Sequence, residues 1–482
     1  MRSIVRNSRL NVLGELVPHA SDNGRTNCIL RTTCALALLL ATVSSGSAVA
    51  GSIDTSAAAK YPRYRMVVLG PLGGPNGGPS FPAVALNNRG EVIAQADTTT
   101  PDPSGNGVIS HAILSNETGI VRDLGALPGT NFSYPGSIAQ NGLIAGLSNN
   151  GLLDPLTGFP QSRAVFWDHN LRIIDLGTLG GYASGAASVN SRGHVVGSAL
   201  NAIPEDPDIA GIFSGLPAAQ QVRAFLWQGG AMHDLGTLGG NNAVATVINE
   251  QGDVSGFSGT DNDNVINDAT GFPTIHPFIW RNGRMQDLGS LGGALAMPGS
   301  FVYGPWGPVM NARGEVVGTS NLPGDASWHA FLWSNGRMID LGTLGGSKSE
   351  AVSINDRSQV VGRAYVTDTP FVRHAFLWEN GTMTDLGTID QCRGTAKGIN
   401  SKGQIVGGLT CPGSSGDFND FRPFYVEKGK PMVDLNTLID PPSDLYMDDA
   451  FLINERGEIY APASTPTGES RAVLLVPLPA DD

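Results

Sequence analysis

Eight times along this chain a histidine or arginine precedes an apolar, aromatic-rich run: His111, Arg163, Arg223, His276, His329, His374, Arg422 and Arg471. An aspartate follows in most cases, among them Asp175, Asp234, Asp287, Asp340 and Asp385. Histidines and carboxylates in repeated register suit metal binding, but arginine takes the same place in half of the repeats and does not bind metal. What the positions share is a positive donor. The spacing therefore predicts buried, charge-assisted hydrogen bonds, His329 with Asp340 and His374 with Asp385, diagonally placed on one face of a hairpin.

Other residues could do different chemistry. Asp261 and Asp263 alternate in DNDN, a spacing that suits a cation such as calcium, yet the stretch lacks the glycine and terminal glutamate of a calcium loop. No cofactor is otherwise implied. The GTLGG stretches at 177–181, 236–240 and 342–346 could cradle an anion with backbone N–H groups. They precede no helix and carry no lysine, so they read as tight crossings between strands. Aromatics stand just before several of the innermost strands: Phe81, Phe132, Tyr134, Tyr182, Phe301, Tyr303 and Trp306. Gathered at one mouth, they would form a platform for stacking a sugar or peptide, or else a small satellite core that plugs it. No G-x-S-x-G, H-E-x-x-H or metal-spaced histidine cluster is present, so no catalytic residue is assigned.

The elements that must position these residues repeat as well. One unit, 350–387, divides into EAVSIN, QVVGRA, HAFLWEN and TMTDLG. Each part is short, β-branched or aromatic, and bounded by turn residues, so each reads as a strand. Asn-x-x-Gly separates the first two parts, as at Asn190 and Gly193, and suits a type I turn closed by a bulge. Asn-Gly separates the last two, as at Asn335 and Gly336, and marks a hairpin. Eight copies of each part can be counted. The chain opens on a fourth part, RMVVLG (65–70), and closes on a third, RAVLLV (471–476). Joining them completes eight four-stranded sheets in a ring. The expected fold is thus an all-β propeller of eight blades, closed by the N-terminal strand, with seven blades as the alternative. The small residues of GAASVN, AVATVIN and TAKGIN suit the crowded innermost strand.

HAFLW…DLGTLGG…IN..G.VVG resembles the bacterial HAF-family extracellular repeat over most of residues 65–478. The resemblance implies export and no particular activity, because the repeat is of uncharacterised function.

Composition agrees with many short strands: 64 glycines, 31 prolines and 15% charged residues among 482. Arg25 and Arg31, the apolar run 34–43 and Ala48-Val49-Ala50 follow the order of a secretory signal peptide with a long basic region. The expected organisation is a signal peptide over 1–50, a linker over 51–63, one propeller over 64–478 and a tail over 479–482. Without residues 1–50 the net charge falls from −13 to about −16, which excludes a nucleic-acid partner. No later run is long enough to span a membrane. Cys392 and Cys411 flank a hairpin and are expected to form a disulfide in an oxidising compartment. The expected product is a secreted or periplasmic monomer. It acts as a binding or scaffolding module for a glycan or envelope protein. A polysaccharide hydrolase or lyase and a purely structural surface protein are the alternatives.

Overall fold

The repeated strand–turn phrases fold into eight sheets of antiparallel strands. The computed structural model describes residues 61–479, apart from 74–78, 102–106, 131, 208, 210–211, 214–218, 262–265, 302–306 and 414–417. The signal-peptide segment, most of the linker, Asp263, Tyr303 and Trp306 lie outside the described residues.

Blade 3 is representative. Its strands Gly180–Val189, Val195–Pro204, Gln220–Gln228 and Ala231–Asp234 pair in chain order, from innermost to outermost. The final blade draws on both ends of the chain. Tyr64–Leu69 pairs with Ser470–Pro477, which pairs with Ile459–Ser464. The ring is an eight-bladed propeller, and the seven-bladed alternative is set aside.

Burial explains why the phrase recurs. Ala145, Phe166 and Leu176 of blade 2 share a core with Ala186, Val195 and Phe225 of blade 3. Comparable seams join blades 3 and 4, 5 and 6, and 8 and 1. Each blade presents the same surfaces to its two neighbours, so the same residues return. Trp167 is fully buried, and its Nε1 donates to the Leu124 carbonyl of blade 1 at 2.9 Å.

The glycine of the Val-Val-Gly strand has a steric role. A Cβ on Gly197 would lie 2.1 Å from the carbonyl oxygen of Gly185 on the inner strand. Gly146, Gly256, Gly318, Gly362 and Gly407 are equally confined, at 1.9–2.2 Å. Each faces an inner strand that is bulged or approaches unusually closely, and only glycine admits that approach.

The Asn-x-x-Gly turns do more than reverse the chain. Asn190 Oδ1 accepts the N–H groups of Arg192 and His194, which sets the turn, while Nδ2 donates to the Asn249 carbonyl of the next blade at 3.1 Å. Asn249 reaches Asn311, Asn311 reaches Asn355, Asn355 reaches Asn400, and Asn400 reaches Asn454 in the same way. A hydrogen-bonded ring thus fastens one face, called here the turn face. Blade 2 has Ala139 at this position, and Asn141 Nδ2 donates to the Ser191 carbonyl instead.

The opposite, crossing face carries the blade-to-blade crossings and the connections between second and third strands. Between the second and third strands of blades 3 and 7 the ladder continues outward as arms, with Pro204 paired to Gln220 and Pro412 to Phe418. Two inner strands depart from the small, regular pattern. In blade 5 only Ala296–Pro298 pairs as a strand before the insertion, and Met310 rejoins by a single bridge to Val316. In blade 8 the strand is split into Tyr446–Met447 and Leu452–Ile453. Cys392 and Cys411 form a disulfide across the inner hairpin of blade 7, with Cα atoms 4.1 Å apart.

Candidate functional site

The repeated donor–aspartate positions come first, because they are the most numerous. His329 Nδ1 lies 2.9 Å from both carboxylate oxygens of Asp340, and His374 lies 2.8 Å from Asp385. His111 with Asp123 and His276 with Asp287 repeat the arrangement at 3.0 Å. Each aspartate also accepts a backbone N–H, as Asp340 does from Gly342 at 2.8 Å. Burial pushes the Asp340 carboxyl up, but the His329 and Gly342 hydrogen bonds outweigh it and hold it below its ordinary value. The pairs are not buried as expected. They sit on the rim of the blade, where the short outer strand leaves the Asp340 side chain 43% exposed. The last blades depart from the pattern: Arg422 pairs with Asp420 and Asp390, and Arg471 with Glu469. Asp434 caps a short 3-10 helix, Leu435–Leu438, by accepting from Asn436 N.

The four described aromatics of the expected platform are each half-buried and make no ring contact with one another. Phe132 serves through its backbone, its carbonyl accepting from Asn149 N and Ser148 Oγ. Tyr134 lies on the inner strand of blade 2, and burial pushes its hydroxyl up. Tyr182 N donates to Gln220 Oε1 at 3.1 Å. Phe301 meets Trp328 edge-on at 6.2 Å and joins a satellite core built on Leu200, Phe213, Val222, Ile275 and Leu295. At Phe301 the packing is that of a core rather than an open platform. Asp261 is exposed and its carboxylate rests against Gly239. Among the described residues, no three His, Cys, Asp or Glu side chains gather to hold a metal ion.

A cavity of about 350 Å³ opens on the crossing face over blades 2, 3 and 4. Leu147, Leu200, Val222, Val244 and Phe213 line its apolar walls, and Asp154 is the one carboxylate among its described lining residues. The arm of blade 2 contributes Asp154, Thr157, Phe159 and Gln161 to its lining. Leu152, Leu153, Leu156 and Phe159 on that arm, with Ile203 on the arm of blade 3, are 49–64% exposed. Large apolar side chains so exposed along one short arm are the kind of surface that marks an interaction site.

A second feature lies across blades 5 to 8. Glu350, 1% exposed, accepts from Arg363 at 2.7 Å and from Trp328 Nε1 at 3.2 Å, and also from Ser300 Oγ. Lys348 Nζ stands 3.9 Å above the Trp328 ring. Arg393 lies 4.4 Å from the Phe371 ring, which packs on Tyr365. Lys397 pairs with Asp449 and lies 4.0 Å from Phe451. Sequence reading passed over these residues. TAKGIN was read as small although it carries Lys397, and EAVSIN opens with Glu350. Charged residues inside strands buried on both faces were the available signal; Arg363 faces Glu350 within one blade, whereas Trp328 and Asp449 reach Glu350 and Lys397 from neighbouring blades.

No protein-family model matches the chain, and no curated protein matches it in sequence. Among solved structures it is similar to an acylaminoacyl peptidase of Pyrococcus horikoshii, with 9% identity, a TM-score of 0.40, and coverage of 84% of this chain and 58% of that one. It is also similar to a puromycin-hydrolyzing peptidase of Mycobacterium tuberculosis, with 13% identity, a TM-score of 0.37, and coverage of 76% and 61%. A Trypanosoma rangeli sialidase in complex with sialic acid gives 10% identity, a TM-score of 0.29, and coverage of 87% and 57%. The chain spans less than two thirds of the length of these proteins. The likeness is a distant one of propeller fold.

Proposed function

We propose that the protein is a secreted or periplasmic binding propeller of the HAF extracellular-repeat type, and that it takes a glycan or envelope protein at the crossing face. The observation that carries this reading is the difference between the two faces. The turn face is tied blade to blade by the asparagine ring, whereas the crossing face bears the arms, the cavity and the exposed Leu152, Leu153, Leu156 and Phe159. Variable connections on a rigid scaffold are where binding surfaces usually form. The Cys392–Cys411 disulfide supports an oxidising compartment.

The test is an array of glycans, cell-wall fragments and envelope proteins probed with the purified protein. A hit weakened by Phe159→Ser and Leu153→Ser, and unchanged by Arg337→Ala at the hairpin turn of blade 5, supports the crossing face. Binding lost only on Arg337→Ala would place recognition on the turn face. No binding at all would favour the purely structural role. Fractionation of cells producing the full chain tests the export reading, which fails if the protein stays with the cytosol.

A further inference from the structure

We propose that the cavity over blades 2, 3 and 4 binds a small amphipathic amine, with its apolar body among Leu147, Leu200 and Val222 and its ammonium group on the Asp154 carboxylate. This rests on the crossing face being the binding face, and it names a ligand class for one part of it. The volume, about 350 Å³, falls within the range of small-molecule sites, roughly 300–1,000 Å³. Such sites are mostly apolar, with a few placed polar groups.

Two polar side chains of the wall, Gln161 and Ser184, are committed already. Gln161 accepts from Asn150 and donates to the Leu153 carbonyl. Ser184 accepts from Ala164 N and donates to the Gly177 carbonyl. Asp154 differs. It is 7% exposed, its Oδ1 accepts the Leu156 N–H at 2.8 Å, and it has no lysine, arginine or histidine partner among the described residues. A carboxylate withdrawn from water is ordinarily matched by a cation. Elsewhere in this protein the rule holds, as Glu350 with Arg363 shows. Here no described residue supplies a matching cation, and an apolar wall stands beside the carboxylate. Glu205, half-buried on the neighbouring arm of blade 3, adds a second negative charge to the crossing face. An apolar molecule with one ammonium group satisfies both features.

The experiment is calorimetric titration of the full protein with phenylbutylamine, phenylbutanol and phenylbutanoate. They share one apolar body and differ in head-group charge. The expected order is amine above alcohol, with the acid not binding. Asp154→Asn keeps an acceptor for Leu156 N and removes the charge. It should lower amine affinity about tenfold or more, the loss of one charge-assisted hydrogen bond, and leave the alcohol unchanged. Gly185→Leu should abolish binding of amine and alcohol alike. A Cβ there meets Leu147 at an ordinary 3.6 Å, so the added side chain enters the cavity without displacing backbone. A thermal melt confirms that each variant is folded. Equal binding of amine and acid, or amine binding indifferent to both substitutions, would overturn the proposal. So would failure of all three probes to bind. Array hits that persist through Gly185→Leu while the amine fails would sink the cavity proposal and leave the crossing-face reading standing.

Discussion

Asn454 donates from Nδ2 to the carbonyl oxygen of Asn87 at 2.9 Å, across the junction of the last blade and the first. The same amide nitrogen donates to Glu458 Oε2 at 2.6 Å, and Asn454 Oδ1 accepts from Arg456 N and Glu458 N. One side chain therefore shapes its own turn and closes the ring. Its neighbour, Asn88 Oδ1, accepts from Glu455 N at 3.0 Å, so the junction is stitched twice. The closing strand Tyr64–Leu69 secures the same junction at the outer rim.

Asn454→Ala should destabilise the fold by about 2–3 kcal/mol, because several buried groups lose their partners together. Asn454→Asp keeps the acceptor for the turn and places a second carboxylate beside Glu458, so it should cost more than the turn alone predicts. Ala139→Asn should stabilise by about 1 kcal/mol by restoring the missing link of the ring. Urea denaturation of the three variants decides. If Asn454→Ala matches the parent chain, the ring contributes nothing to stability.

Gly197→Ala should cost about 2–3 kcal/mol or more, because the new methyl group would lie 2.1 Å from a backbone oxygen that cannot move without breaking the ladder. Gly185→Ala on the facing strand meets only the Leu147 side chain at 3.6 Å and should be near neutral. Equal thermal shifts for the pair would refute this account of Val-Val-Gly.

Glu350→Ala should be among the most damaging single changes, about 3–5 kcal/mol, since it leaves Arg363 buried without its carboxylate. Replacing both residues with apolar side chains should recover part of that loss. Denaturation of the single and double variants measures the coupling.

Stability should fall in acid. Burial pushes the Glu315 carboxyl up, but hydrogen bonds from Ser358, Asn311, Ser334 and Arg313 outweigh it and bring it to about 2, from an ordinary 4.5. A carboxyl lowered in the folded state contributes stability that is fully present above 4.5 and is lost as the pH falls toward 2. Asp123, Asp287 and Asp340, lowered by their histidines, act in the same direction below 3.8. Thermal melts of the parent chain and Glu315→Gln between pH 6 and pH 2, about the span of these shifts, should converge as the pH drops. A constant gap would count against Glu315 as the sensor.

The blade count was legible because each strand is short and its turns have fixed chemistry. Leu86, Val189, Ile248 and Ile399 end inner strands where the Asn-x-x-Gly spacing puts them. Blade 5 was less legible, since its insertion interrupts the inner strand between Pro298 and Met310. The cavity was not legible at all. Leu147, Leu200 and Val244 stand on three blades, and nothing in their local sequence says that they share a wall.

The sequence by itself determined the strands, the turns and the manner of closure, because those depend on local conformational preference and on repetition; the structure decided for eight blades over seven. The tertiary structure decided which side chains meet across blades: Asn454 with Asn87, Glu350 with Trp328, Lys397 with Asp449 and Asp154 with the apolar wall. Such contacts depend on how neighbouring blades are set against one another in the closed ring, and no spacing within a single repeat encodes that.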